Sequence, residues 1–321
     1  MRVLVTGATG CLGGGLTEAL LAQGYEVIAQ GRDPLLVTNL QKKGAQIWQY
    51  DLRNPLPENA LKGVKHVYHC AALSSAWGRA EAFESINVTA TQNLLKAARA
   101  ADVGRFIFAS SPSIYANGMD LLNISEDHPI PKRHKTHYAA SKYRAERLVL
   151  EADDPKGMRT LALRPRAIYG RGDRALMPRL LAAIERGKIP LIDGGKALTD
   201  LTHLQDAALA MRLAGEAAHL GGRAYNISSG EVWHFHDILD AVCKLKNKAP
   251  KRIALSYPVA FALANSLEVV HRLFAPEKEP ILTRQAVVSM GRSMVLDITA
   301  ARQDLGYIPQ VTLAEGIADY A

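Results

Sequence analysis

The 321-residue sequence predicts an α/β fold, a doubly wound parallel sheet with a smaller C-terminal lobe. Three observations carry that reading. Short apolar runs alternate with helical patterns through the first half of the chain. The first run ends in the glycine-rich Thr6-Gly-Ala-Thr-Gly-Cys-Leu-Gly13, which opens a helix. The rhythm then continues past residue 160, as right-handed β-α-β crossovers in a single sheet require.

The elements follow in order. Arg2–Thr6 reads as a strand and residues 11–23 as a helix closed by Gly24, with further strands at 26–30, 45–50 and His66–His69. A long helix at about 87–100 and a strand at 105–110 come next, and a helix over 138–151 and a strand at 160–163 extend the same sheet. Beyond about Arg171 the elements shorten, with Pro and Gly punctuating 189–195. Residues 1–170 therefore read as a dinucleotide-binding domain of the Rossmann type. Residues 171–321 read as mainly a substrate-binding lobe, partly threaded back onto it.

Composition narrows the setting. The chain is 48% hydrophobic and 22% charged, and its formal charge of +8 is spread along the sequence rather than gathered in a tail. A solvated surface accounts for that charge, and no nucleic-acid partner is expected. Cys11, Cys70 and Cys243 are few, odd in number and far apart, which suits neither a disulfide framework nor a zinc site. With a strand rather than a leader at its start and no uninterrupted apolar span, the chain reads as cytoplasmic, with no metal.

The glycine loop reads as an anion cradle. Gly7, Gly10 and Gly13 permit positive φ and close approach of backbone N–H groups, and the helix N-terminus favours a pyrophosphate. Thr9, Cys11 and Leu12 complete the loop; Cys11 reads as a small plug beneath it. An acid at the end of the second strand would bind a ribose 2′-OH, whereas an arginine accommodates a 2′-phosphate. Here Gly31 stands where the acid belongs and Arg32 follows, so NADP is favoured, while Asp33 keeps NAD open. Asp51-Leu52 after the third strand offers a carboxylate for an adenine amino group. Cys70, Ala71 and Ala72 after the fourth are small enough to press against a cofactor.

Tyr138 and Lys142 stand four residues apart, on one helix face. A phenol near pKa 10 is a poor acid or base at neutral pH, and a neighbouring ammonium lowers that value. Ser110-Ser111, 27 residues before Tyr138, ends a strand at the carboxyl edge of the sheet. Ser111 is preferred as the hydroxyl that orients a substrate oxygen.

At this point the chain resembles the extended short-chain dehydrogenases/reductases. The likeness rests on the glycine loop, the His69-Cys-Ala-Ala72 segment, Asn87-Val-Thr-Ala-Thr-Gln-Asn-Leu-Leu95, Phe106-Ile-Phe-Ala-Ser-Ser-Pro-Ser-Ile-Tyr115, Tyr138-Ala-Ala-Ser-Lys142, residues 163–173 and residues 304–317. The resemblance implies Ser111, Tyr138 and Lys142 as a catalytic triad supported by Asn87, with the segment from Pro165 to Ala167 approaching the nicotinamide. Sugar-nucleotide epimerases of this group carry an arginine where this chain has Thr199. Ala71–Gly78 and residues 163–180 are more similar to the 3β-hydroxysteroid dehydrogenase branch and its bacterial 2-alkyl-3-ketoalkanoate reductases. That branch implies oxidation and reduction of a hydrophobic, sterol-like or long-chain β-keto substrate. Ser74, Trp77, Ser111, Tyr115, Arg166 and Tyr169 would be its contacts. An NDP-sugar epimerase/dehydratase and a non-catalytic redox sensor are the alternatives.

Two surface expectations remain. Residues 257–274 form an amphipathic helix, with Val259, Leu263, Leu267, Val270 and Phe274 at helical spacing and Asn265, Glu268 and Arg272 elsewhere. The run 244–252 before it carries five positive charges in nine residues. The pair reads as a substrate-lobe helix packed on the core, or as a peripheral membrane contact through 244–274. By analogy with relatives, the helices near 87–100 and 138–151 would pair in a homodimer.

Overall fold

The computed structural model describes residues 1–174 and 176–321, and for residues 34–37 the backbone alone. The chain runs β1 (Arg2–Thr6), α1 (Cys11–Ala22), β2 (Glu26–Gly31), α2 (Pro34–Lys42), β3 (Gln46–Gln49), β4 (His66–His69), α3 (Ala80–Phe83), α4 (Ala90–Ala100) and β5 (Arg105–Ala109). It continues through β6 (Leu121–Ile124), α5 (His137–Glu151), β7 (Arg159–Pro165), β8 (Ile168–Tyr169), α6 (Met177–Glu185), β9 (Lys188–Ile192), β10 (Leu198–Thr199) and β11 (Thr202–His203). After α7 (Leu204–Glu216) come β12 (Arg223–Ile227), β13 (Trp233–His234), α8 (Phe235–Leu245), β14 (Lys251–Leu255) and α9 (Tyr257–Phe274). Then α10 (Arg284–Gly291), β15 (Met294–Leu296), α11 (Thr299–Leu305) and α12 (Leu313–Ala318) complete the chain.

Seven strands form one parallel sheet in the order β12-β7-β5-β4-β1-β2-β3. The order reverses between β1 and β4, whose registers pair Thr6 with His69. The loops after those two strands leave in opposite directions and open a crevice at the carboxyl edge, where doubly wound sheets bind ligands. On one face, Leu16 and Leu20 of α1 and Met211 and Ala214 of α7 bury against Val3, Val5, Ile107 and Leu161. On the other, Leu94 and Ala98 of α4 and Ala145 and Val149 of α5 cover Leu4, Val67 and Phe106. The chain beyond Arg171 rejoins this body through α7 and through β12, which pairs along β7.

The long helix expected at 87–100 is interrupted. Helix α3 leads into a π-helical stretch, Glu84–Thr89, before regular α4 begins. Such a wide turn inserts an extra residue into the helix and is frequent at functional sites. Asn87 sits inside it, buried.

Candidate active site

The glycine loop has the shape its sequence suggests. Gly7 is at φ +64°, and a Cβ there would stand 2.7 Å from the Ala71 backbone, because β1 and β4 bring the two loop origins side by side. Gly13 packs as tightly: a Cβ would meet the Gly7 carbonyl oxygen at 2.3 Å. Helix α1 has no side-chain cap at Gly10 and no acid in its first turn. The amides of Cys11, Leu12 and Gly13 therefore lack both intrahelical and capping partners, which suits a pyrophosphate. Gln30 braces the loop from below, accepting from the Gly7 amide at 3.0 Å and donating to the Tyr50 carbonyl at 2.6 Å.

At the far end of the cradle, a Cβ on Gly31 would lie 2.4 Å from the Thr9 methyl, so an acid could not stand there without moving the loop. Arg32 is exposed and, among the described residues, makes no hydrogen bond or ion pair. Asp51 is gripped by Arg53 through both carboxylate oxygens at 2.5–3.0 Å, and these bonds hold its carboxyl down to about 2. Leu52 turns its side chain into the core. Burial pushes the thiols of Cys11 and Cys70 up to about 11 and 12, so both behave as small apolar residues.

Helix α5 begins with Thr136, whose hydroxyl accepts the Ala139 amide at 3.1 Å and fixes the first turn that carries Tyr138. Burial pushes the Tyr138 phenol up, opposed by the nearby Ser111 hydroxyl. Lys142 lies one turn on, buried, with Nζ 2.5 Å from the Ala109 carbonyl at the end of β5 and 4.1 Å from the centre of the Phe108 ring. Burial brings its ammonium down to about 7. Lys142 is not among the groups that shift Tyr138 here; desolvation of the phenol dominates.

The adjacent serines are separated by their partners. Ser110 Oγ donates to Glu146 at 2.6 Å, and Glu146 in turn holds Arg164 at 2.6 and 2.9 Å. Ser111 lies near Tyr138; its Oγ accepts from the Ser113 amide at 3.2 Å and donates to Ser113 Oγ at 3.0 Å.

A second buried set links the cradle to the π-turn, and its proton positions follow from chemistry. Thr91 Oγ1 donates to the Asn87 carbonyl at 2.6 Å, so it accepts from His69 Nε2–H at 2.9 Å. His69 Nδ1 is then the acceptor for the Thr6 hydroxyl at 2.7 Å, and Thr6 accepts the Ala71 amide at 3.2 Å. Burial, with Lys142 nearby, lowers His69 to about 3 and keeps it neutral, as this arrangement requires. Asn87 exchanges bonds with the Leu73 backbone at 2.7 and 3.3 Å and donates to Ser141 at 2.9 Å, one helical position before Lys142. His69, Thr91, Ser141, Glu146 and Arg164 were not singled out by the sequence, because each has a partner at least 18 residues away that only the fold brings near.

The expected substrate contacts divide. Ser74 is exposed and Trp77 half-buried, beside the Leu73 backbone that Asn87 clamps. Pro165 and Ala167 are half-buried at the end of β7, next to the end of β5 that leads to Ser111. Arg166 donates to Thr199 Oγ1 at 3.2 Å and lies 3.9 Å from the buried carboxylate of Asp200. Tyr115 and Tyr169 are corrections. Tyr115 is fully buried between Asn226 and Arg164, and Tyr169 lies in the core of the C-terminal lobe against His203. Neither ring can face a ligand while that packing stands.

Comparison with known proteins agrees with this architecture. Residues 3–228 match the model of a family described as NAD dependent epimerase/dehydratase. The chain is similar to a 4-hydroxy-2-methyl-3-oxo-4-farnesyl-3,4-dihydroquinoline-1-oxide ketoreductase of Stigmatella aurantiaca, 34% identical across 99% of this chain and 95% of that one. It is similar to a 2-alkyl-3-oxoalkanoate reductase of Stenotrophomonas maltophilia (strain K279a), also 34% identical, across 99% and 97%. Among solved structures, MoeE5 in complex with UDP-glucose and NAD superposes with a TM-score of 0.80 at 28% identity, covering 99% of this chain and 97% of that one.

Proposed function

The chain belongs to the NAD dependent epimerase/dehydratase family, and from that premise we propose that it is a reductase of a hydrophobic ketone, sterol-like or long-chain β-keto, with NADP as preferred cofactor. The observation that carries the reading is the convergence at the carboxyl end of β5, where Ser111 lies near enough to Tyr138 to oppose the rise of its phenol and Lys142, one turn on, is buried against the Ala109 carbonyl. The named relatives act on substrates with farnesyl and alkyl chains, which supports the substrate class.

A bound nicotinamide supplies the hydride. In reduction, the Ser111 hydroxyl and the Tyr138 phenol both hold the substrate carbonyl oxygen, and Tyr138 gives it a proton. The raised phenol keeps that proton available throughout the neutral range. In the reverse direction Tyr138 must ionise, so alcohol oxidation should rise toward alkaline pH. Lys142 is positioned to hold the ribose and, when a cofactor draws its Nζ from the Ala109 carbonyl, to ease that ionisation.

Turnover of NADPH with a long-chain β-keto acid, a 3-ketosteroid and UDP-glucose tests the reading. Tyr138→Phe should lower kcat for the ketone by about 10²–10⁴-fold with unchanged folding. Epimerisation of UDP-glucose with no net redox would overturn the assignment. For the cofactor, Arg32→Ala should raise the KM for NADPH about tenfold and leave that for NADH nearly unchanged. Equal effects on the two would assign the preference elsewhere.

A further inference from the structure

Among the described residues no helix is long and apolar enough to cross a membrane. Yet α9 turns outward the kind of face that lies on one. It is 18 residues long, about 27 Å, and packs on the body through Ala260 and Ala264 against Val287 and Ile192. Its inward side also carries Glu268, buried, which accepts from the Arg284 amide at 2.7 Å and from Arg284 Nε at 2.9 Å. The outward side carries Val259, Leu263, Val269, Val270, Leu273 and Phe274, between 47% and 81% exposed. Arg272 is the other formally charged residue of the helix, and at 100° per residue it falls on the flank, not among them. The helix thus buries one apolar stripe and exposes another, where an ordinary surface helix turns a polar face outward.

We propose that this face rests on an anionic lipid bilayer, lying in the headgroup plane. Charge points to that occupant. The acids of the C-terminal half of α9 and beyond are already answered, Glu268 by Arg284, Glu277 by Arg79 and Glu279 by Arg179, while at its start Asp193 accepts the Tyr257 amide. Of the five cations leading into the helix, Lys248 and Arg252 pair with Glu185 and Asp240, but among the described residues Lys244, Lys246 and Lys251 form no ion pair. Geometry disfavours a second copy of the chain. A stripe about 27 Å long and 10 Å wide offers on the order of 500 Å² or less per copy, below the ~800 Å² per partner of a stable specific interface.

Docking also places a useful edge at the lipid surface. At the C-terminal end of α9, Arg272 lies 5.6 Å over the Trp77 ring, and the Pro276 carbonyl accepts from Trp77 Nε1 at 2.8 Å. Trp77 follows the segment that Asn87 clamps, so the docked helix borders the path to Tyr138. That a lipid-like ketone enters along this edge rests on the proposed function; the docking does not.

Co-sedimentation of the full chain with vesicles tests the proposal, using phosphatidylcholine alone and phosphatidylcholine with about 30% phosphatidylglycerol. The anionic vesicles should bind roughly tenfold more protein, and Leu263→Asp/Val270→Asp should abolish that gain. Lys246→Gln/Lys251→Gln should weaken binding roughly thirtyfold, since each of the two lysines contributes about 1 kcal/mol near a charged surface. Wild type left in solution with both vesicles, or binding unaltered in the aspartate variant, would sink the idea. So would a wild-type dimer that the aspartate variant splits, with no vesicle binding. Reduction of a water-soluble ketone in vesicle-free buffer should be unchanged in the aspartate variant, which separates failure of docking from failure of the catalytic reading.

Discussion

Two regions of this molecule handle the wrong kind of side chain for their location in opposite ways. Beneath the crevice, His69, Asn87, Glu146 and Arg164 are polar and buried, and each is held by partners drawn from several strands and helices. Along α9, Leu263, Val270 and Phe274 are apolar yet 47–81% exposed. Burying polar groups costs free energy unless their bonds are met, and exposing apolar ones costs it unless something covers them. In the first region the fold itself meets the requirement, and the reward is fixed geometry around Tyr138. In the second the proposed bilayer contact would meet it.

The largest expected effect strikes the first region. Glu146→Ala would strand Arg164, whose side chain is 5% exposed, and leave Ser110 without its acceptor. A loss of about 3–5 kcal/mol is expected in urea unfolding, since removing one partner leaves a buried charge unanswered. A loss below about 1 kcal/mol would mean that solvent reaches Arg164 and the region is less closed than it looks.

A smaller effect comes from acid. His69 and His66 are lowered by burial to about 3 and 4, so between those values and the ordinary 6.5 the unfolded chain binds more protons than the folded one. Stability is therefore fully present above about 6.5 and falls as pH drops toward about 5. Raised carboxyls such as Asp200 and Asp206 act in the opposite sense, because the folded chain takes up their protons before the unfolded one. The urea midpoint followed from pH 7 to pH 5 should decline. A flat profile would contradict a neutral, buried His69.

The smallest effect belongs to the second region. Leu263→Asp/Val270→Asp should change unfolding free energy by no more than about 0.5 kcal/mol, because these side chains contact little of this chain. A loss of several kcal/mol would show that the α9 face is covered in solution and would erase the contrast.

Much of the crevice was legible from local signals. The glycine loop, the Tyr138–Lys142 spacing and the strands of the first half depend on periodicity and backbone conformation, which neighbours in sequence already fix. The α9 boundaries, Tyr257–Phe274, were legible for the same reason. Its orientation was not. The pattern allowed either face to turn inward, and the position of Arg284 drew Glu268 inside. Tyr115 and Tyr169 misled similarly, since an aromatic near a motif can line a pocket or fill a core, and Asn226, Arg164 and His203 decided for the core.

What the sequence determined by itself is the order of strand, glycine turn and helix, and the one-turn spacing of phenol and ammonium. Both arise within a few bonds of the residues concerned. Only the tertiary structure decided that Ser110 serves Glu146 while Ser111 lies near Tyr138, that His69 is the neutral link between the cradle and Asn87, and which face of α9 meets solvent. Those outcomes depend on which distant group arrives opposite each side chain, and a buried hydrogen bond or charge is met by proximity in space, not in sequence.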